Sequence, residues 1–139
     1  MSEAFYPLET AEEAIEMFCD CTLPASEWDH GMHLVVGLYM HAKHGENAYQ
    51  EIKSNIKHYN QCRNNQGYHE TMTRFWTWAI AHFRGDENGQ IEWTQEALDG
   101  IIFDDDLTGV NLWNAYYSKE LMMSKEARER FIEPDLKPF

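Results

Sequence analysis

Hydrophobic residues recur along most of this 139-residue chain at the spacing of an α-helix. Apolar side chains three or four positions apart fall on one face of a helix, whereas strict alternation indicates a strand. Ile101-Ile102-Phe103 is the nearest candidate for a strand, and it is too isolated to build a sheet. We therefore predict an all-α fold: one helical domain over residues 1–139, a bundle of about five to seven helices.

Residues that start or stop helices divide this pattern into elements. Thr10 and Glu13 have the spacing of a capping box, which predicts the start of a first helix. Ser26 is expected to cap a second helix, with Asp29 three positions later, and Gly45 is a natural stop. This second helix is apolar on most of its circumference, which predicts a central place in the bundle. Further helices are expected near residues 47–62, 68–83 and 93–99 and from about residue 112 onward.

The second helix also carries four histidines on one side. At about 100° per residue, His30, His33, His41 and His44 fall within a sector of roughly 80°, and Gly37 lies in the same sector. The last two histidines are near the helix end, where an imidazole can simply complement the helix dipole. His30 and His33 can face one metal ion or one substrate. The alternative is structural, since a buried histidine often bonds only a backbone carbonyl or a carboxylate.

A second polar segment, Gly67-Tyr68-His69-Glu70-Thr71, stands where a loop becomes a helix. Thr73 follows His69 by one turn and could orient its ring, while Arg74 follows Glu70 by one turn and could pair with its carboxylate. A carboxylate that enters a buried helix needs such a partner. Three roles therefore stay open for Glu70: metal ligand, catalytic base, or ion-pair partner of Arg74. His69 could likewise be a helix cap or a core residue.

Together the two segments predict a site for a small-molecule substrate. We expect His30, His33 and His69 to hold at most one divalent metal, either zinc, iron, manganese or nickel, with Glu70 as the catalytic residue. Such a site would support either hydrolytic or oxidative chemistry, and the sequence does not choose between them. Further residues are expected to contact the substrate: Trp28, Tyr59, Asn60, Tyr68, Thr73 and Arg74.

Two other functions use the same residues without a metal. Aromatic walls with a few polar groups are normal for a small-molecule binding module. Alternatively, the polar cluster only fixes the bundle of an interaction protein. The chain has no zincin motif, no serine nucleophile elbow, no P-loop and no dinucleotide fingerprint, so no nucleotide cofactor is expected.

Composition excludes several partners. A formal net charge of −13 disfavours nucleic acids and anionic membrane surfaces, both of which attract clustered Lys and Arg. No stretch is apolar and long enough to span a bilayer, and residues 1–5 lack a secretory signal pattern. The odd number of cysteines (Cys19, Cys21 and Cys62) predicts free thiols and a cytoplasmic location. The oligomeric state is left open.

At the polar segments the chain resembles a family of small, functionally uncharacterised bacterial all-α proteins. The similarity is carried by Trp28-x-His30-x-x-His33-Leu34, by Tyr59-Asn60 and by the stretch from Gly67 to Trp76. It extends to three later segments: Tyr117-Ser118-x-Glu120, Ser124-x-Glu126-Ala127-Arg128 and Glu133-Pro134-Asp135-Leu136. The resemblance covers most of the chain and implies no established activity.

Overall fold

The computed structural model describes residues 6–139, and the part of the chain that it describes contains helices and no strand. Residues 1–5, where we saw no secretory signal, lie outside this range. The α-helices are α1 (Leu8–Cys19), α2 (His30–His44), α3 (Ala48–Cys62), α4 (Glu70–Arg84), α5 (Gln95–Ile102), α6 (Lys119–Met122) and α7 (Lys125–Glu129). Turns of 3₁₀-helix lie at Ala25–Glu27, Gly45–Asn47 and Leu112–Ala115. The predicted all-α helical bundle is confirmed.

Helix α2 occupies the centre of this bundle, as its apolar circumference predicted. It packs against α1, α3, α4 and α5, so side chains on most of its sides are buried. Gly37 marks a close approach to α4, because a Cβ atom at this position would overlap Ile80 Cδ1. The glycine therefore serves the packing of two helices.

The helix starts depart from the sequence prediction in two places. Helix α1 begins at Leu8, after Pro7, so the predicted capping box of Thr10 and Glu13 is wrong. Pro7 is the N-cap residue with an extended backbone, and at this position its missing N–H costs no hydrogen bond within the helix. Asp29, rather than Ser26, caps α2: its Oδ1 accepts the N–H of Met32 at 2.9 Å.

The cysteines are not all free thiols. Cys21 and Cys62 form a disulfide, although they are 41 positions apart, and Cys19 alone of the three is free. The prediction missed the pair because sequence spacing does not reveal that the end of α1 packs beside α3. Closing a loop of this length typically stabilises a fold by about 2–4 kcal/mol. No helix among the described residues is both long and apolar enough to cross a membrane.

Candidate functional site

A cavity of about 490 Å³ lies between the facing sides of α2, α3 and α4. The segment before the Leu112–Ala115 turn and the loop before α4 complete its walls. Most of the lining is apolar or aromatic and includes Leu34, Ile52, Ile56, Met72, Trp76 and Trp113. This volume falls within the roughly 300–1,000 Å³ that is usual for small-molecule sites.

Most of the residues that the sequence singled out line this cavity. They are Trp28, His30, His33, Asn60, Tyr68, His69 and Thr73. Tyr59, Glu70 and Arg74 lie outside its walls. Tyr59 is buried against the Phe18 and Trp28 rings and donates its hydroxyl to the carbonyl oxygen of Leu23 at 2.7 Å. Two segments that are about 40 positions apart in the sequence therefore line one cavity. Tyr59 and Arg74, which we expected to contact the substrate, do not line it.

His33 keeps one ring nitrogen outside its hydrogen bond to the backbone. Its Nδ1 lies 2.6 Å from the carbonyl oxygen of Asp29, and because a carbonyl only accepts, Nδ1 carries the proton. In the neutral ring Nε2 then keeps an unshared electron pair. The ring lines the cavity and stacks on Trp28 with centroids 3.7 Å apart. Burial lowers the pKa of His33 below its usual 6.5, although the bond to Asp29 opposes this shift.

His69, in contrast, uses both ring nitrogens to hold the fold. Its Nδ1 accepts the N–H of Met72 at 3.1 Å and so caps α4, while its Nε2–H donates to the carbonyl oxygen of Met122 at 2.8 Å. Only the neutral imidazole with the proton on Nε2 makes both bonds. Burial lowers the pKa of His69, the Met122 bond acts in the opposite direction, and Arg128 lowers it further. A metal could bind His69 only at the loss of one of these bonds.

His30, like His33, has one ring nitrogen bonded to a backbone carbonyl. Its Nε2–H donates to the carbonyl oxygen of Leu107 at 2.7 Å, and its ring meets Trp76 edge-on at 4.6 Å, so Nδ1 is the nitrogen that remains. Within residues 6–139, the three cavity histidines are not among the metal-capable groups whose ligand atoms all approach within 4.8 Å. Coordination by all three histidines would therefore require side chains to move. The metal site stays a prediction.

Glu70 pairs with a lysine, and Arg74, the ion-pair partner that the sequence offered, lies elsewhere. Its carboxylate pairs with Lys53 of α3, whose Nζ is 3.1 Å away, and accepts hydrogen bonds from the hydroxyls of Tyr49 and Tyr68. Burial raises the pKa of Glu70, but the two tyrosine bonds and Lys53 together outweigh it, so the net shift is downward. Arg74 lies over the Tyr49 ring instead, at 4.5 Å. Of the three roles left open for Glu70, ion pairing is the one present here, and its partner is Lys53 of α3 in place of Arg74.

Tyr68 links this carboxylate to the cavity. It lines the cavity, and its hydroxyl donates to Glu70 at 2.7 Å. Burial, followed by the bond to Glu70, raises the pKa of Tyr68, so the phenol keeps its proton. Thr73 does not orient the His69 ring as expected: its Oγ1 donates to the His69 backbone carbonyl at 2.8 Å. A threonine in a helix commonly makes this bond one turn back.

Several residues that line the cavity were not predicted from the sequence. Asn65, Thr77, Val110 and Trp113 all contribute to the walls. Asn65 and Thr77 flank the recognised segment, but the residues from the 110–113 region reach the cavity only through the tertiary fold. No periodicity or motif marks them. Comparisons of this chain with protein-family models, with curated proteins and with solved structures found no match.

Proposed function

We propose that this protein binds a small organic molecule in the cavity between α2, α3 and α4, without a metal, and that His33 accepts a hydrogen bond from it. The observation that carries the proposal is an imidazole with an unshared electron pair inside an aromatic-walled cavity of about 490 Å³. Small-molecule sites commonly combine such walls with a few polar groups. This is the metal-free alternative that the sequence left open.

The charge of the walls narrows the ligand class. Asp29 is the one formally charged side chain among the described lining residues, and the whole chain carries a net charge of −13. A negative field concentrates cations and repels anions. The ligand that fits has an apolar body, a hydrogen-bond donor for His33, and a neutral or positive charge.

The same geometry supports proton transfer from a bound ligand. An imidazole whose pKa lies below 6.5 is mostly neutral at pH 7, and its free Nε2 can take a proton from a ligand donor. Glu70, which we expected to be catalytic, acts here through Tyr68, whose hydroxyl it holds. We assign Glu70 to positioning Tyr68 at the cavity wall.

The competing proposal is a metal-dependent enzyme, and one observation favours it. His30 and His33 lie one turn apart on the same wall, and each keeps one ring nitrogen outside its backbone hydrogen bond. Titration of the disulfide form with zinc, followed by calorimetry, separates the two proposals. Uptake of one ion per chain that disappears in His33→Ala would favour the enzyme, whereas no uptake favours metal-free binding.

A matched series of probes tests the ligand class. Benzylamine, benzyl alcohol and benzoate share one ring and differ in charge, so their effects on the indole N–H signals of Trp28 and Trp76 can be compared by NMR. We expect millimolar binding of benzylamine and benzyl alcohol, with benzoate at least roughly tenfold weaker because of the surrounding negative charge. Equal binding of all three would overturn the charge argument, and no binding by any would overturn the site.

Two histidine variants locate the binding. His33→Ala removes the free imidazole and should weaken benzylamine binding by about tenfold, the usual loss for one hydrogen bond of about 1.4 kcal/mol. His44→Ala alters an exposed histidine at the far end of the same helix and should leave binding unchanged. If both variants bind equally well, His33 is not the acceptor.

A further inference from the structure

A second group of reactive side chains lies away from the cavity, where the loop after α1 meets the end of α3. It consists of Cys21, His58 and Cys62, whose sulfur and nitrogen atoms all lie within 4.8 Å of one another. His58 and Cys62 are one helical turn apart on α3, and His58 Nε2 is 3.9 Å from Cys62 Sγ. Two thiols and an imidazole are ligands that zinc prefers.

The loop that carries Cys21 is fixed by contacts other than the disulfide. Tyr59 donates its hydroxyl to the carbonyl oxygen of Leu23 at 2.7 Å, and the Leu23 side chain is buried. Arg63 donates to the carbonyl oxygen of Cys21 at 3.1 Å and also to that of Leu23. Tyr59 lies in α3, and Arg63 is the residue directly after α3. Both donors therefore hold the loop against the helix that carries His58 and Cys62. We therefore expect Cys21, His58 and Cys62 to stay close together when the disulfide is reduced.

We propose that reduction of the Cys21–Cys62 disulfide turns this group into a zinc site, with His58 as the third ligand and water in the fourth position. Zinc–sulfur bonds near 2.3 Å and zinc–nitrogen bonds near 2.0 Å place tetrahedral ligand atoms about 3.5–3.8 Å apart. The 3.9 Å between His58 Nε2 and Cys62 Sγ is close to this spacing. The two sulfur atoms separate by rotation about their Cα–Cβ bonds, across a Cα–Cα distance of 6.1 Å.

Thiol–disulfide exchange interconverts the oxidised and metal-binding forms of this group. A dithiol reductant gives two electrons and two protons to the Cys21–Cys62 bond, becomes a disulfide itself, and leaves two thiols on the protein. Zinc then displaces those two protons and binds the neutral His58 ring. In the reverse direction a small-molecule disulfide accepts two electrons from the two thiolates and two protons from the solvent, and it becomes two thiols. The Cys21–Cys62 bond forms again and the zinc ion is released. A reducing compartment would favour the metal form, and an oxidising one would favour the disulfide.

Cobalt is the probe for this site, because thiolate coordination of Co²⁺ gives a charge-transfer absorption that imidazole coordination alone does not. We expect the full chain, after reduction with a phosphine, to bind one Co²⁺ with this absorption and to lose it on addition of Zn²⁺. The oxidised chain should show no such absorption. Reduced protein that takes up no Co²⁺, or that loses its helical circular dichroism on reduction, would overturn the proposal.

Four variants identify the ligands. Cys62→Ser should abolish the charge-transfer absorption or reduce it to that of one thiolate, and His58→Ala should weaken Co²⁺ binding by more than roughly tenfold. Cys19→Ser removes the free cysteine and His44→Ala removes an exposed histidine elsewhere, and both should bind as the parent does. Binding that survives Cys62→Ser unchanged, or that requires Cys19, would contradict this ligand set.

Discussion

The first turns of α2 and α4 contain similar residues but make different hydrogen bonds. Each has an acidic residue close to a histidine that lines the same cavity, and each needs an acceptor for its free backbone N–H groups. In α2 the cap is the carboxylate of Asp29, so His33 one turn later keeps an unshared nitrogen. In α4 the cap is His69 itself, and both of its ring nitrogens are bonded. Because His69 serves as the cap of α4, its ring has no nitrogen left for a ligand, whereas His33 keeps one.

The acidic residues follow the same division. Asp29 is exposed and bonds only within its own helix start, whereas Glu70 is buried and tied to α3 through Lys53 and Tyr49. The α4 start therefore joins separate parts of the fold, and the α2 start leaves a side chain available to the cavity. We expect substitutions at the start of α4 to lower stability and substitutions at the start of α2 to weaken ligand binding.

Replacement of Glu70 should have the largest effect on stability. Glu70→Ala removes the acceptor for two tyrosine hydroxyls and the partner of Lys53, so we expect the free energy of unfolding to fall by about 3 kcal/mol. Urea denaturation followed by circular dichroism measures this loss. Glu70→Gln keeps the shape and one acceptor and should lose less. A loss below about 1 kcal/mol in Glu70→Ala would show that the cluster is not structural.

His69→Ala should come next. It removes the cap of α4 and the bond to Met122, so we expect a loss of about 2 kcal/mol in the same denaturation experiment. His69→Asn supplies a new side-chain acceptor for the Met72 N–H and should recover about half of that loss. If alanine and asparagine behave alike, capping is not the role of this histidine.

Acid should lower stability in two steps. The pKa values of His33, His41 and His69 lie below the usual 6.5, so the unfolded chain binds more protons than the folded one as the pH falls below 6.5, and stability declines. Glu70 has a pKa below its usual 4.5, so its contribution is present above pH 4.5 and is lost as the pH falls further. Urea midpoints measured from pH 8 to pH 3 give the profile.

The matched variant for this profile is His69→Asn, which should reduce the decline in the first step and leave the second unchanged. A profile that is flat between pH 7 and pH 5 would contradict the neutral, doubly bonded His69.

The smallest effect on stability is expected at His33. Its ring makes one hydrogen bond, within its own helix start, and stacks on Trp28, so His33→Ala should cost less than about 1 kcal/mol. The same variant should bind benzylamine about tenfold more weakly than the parent chain. A large stability loss with unchanged binding would reverse the comparison between the two helix starts.

The sequence by itself determined the local part of this molecule. Helical periodicity predicted the all-α class and the central place of α2, and short-range chemistry marked the stop of α2 at Gly45. It also pointed to the two segments that line one cavity, since histidines on one helix face are visible from spacing alone.

Only the tertiary structure decided what each of these residues does. The carbonyl oxygens that occupy His30 and His69 belong to Leu107 and Met122, far along the chain, and backbone carbonyls carry no mark in the sequence. Lys53 meets Glu70, and Cys21 meets Cys62, for the same reason: helix packing sets these pairs. A nitrogen's freedom to bind a ligand depends on its neighbours in space, whereas sequence patterns report mainly on neighbours along one helix.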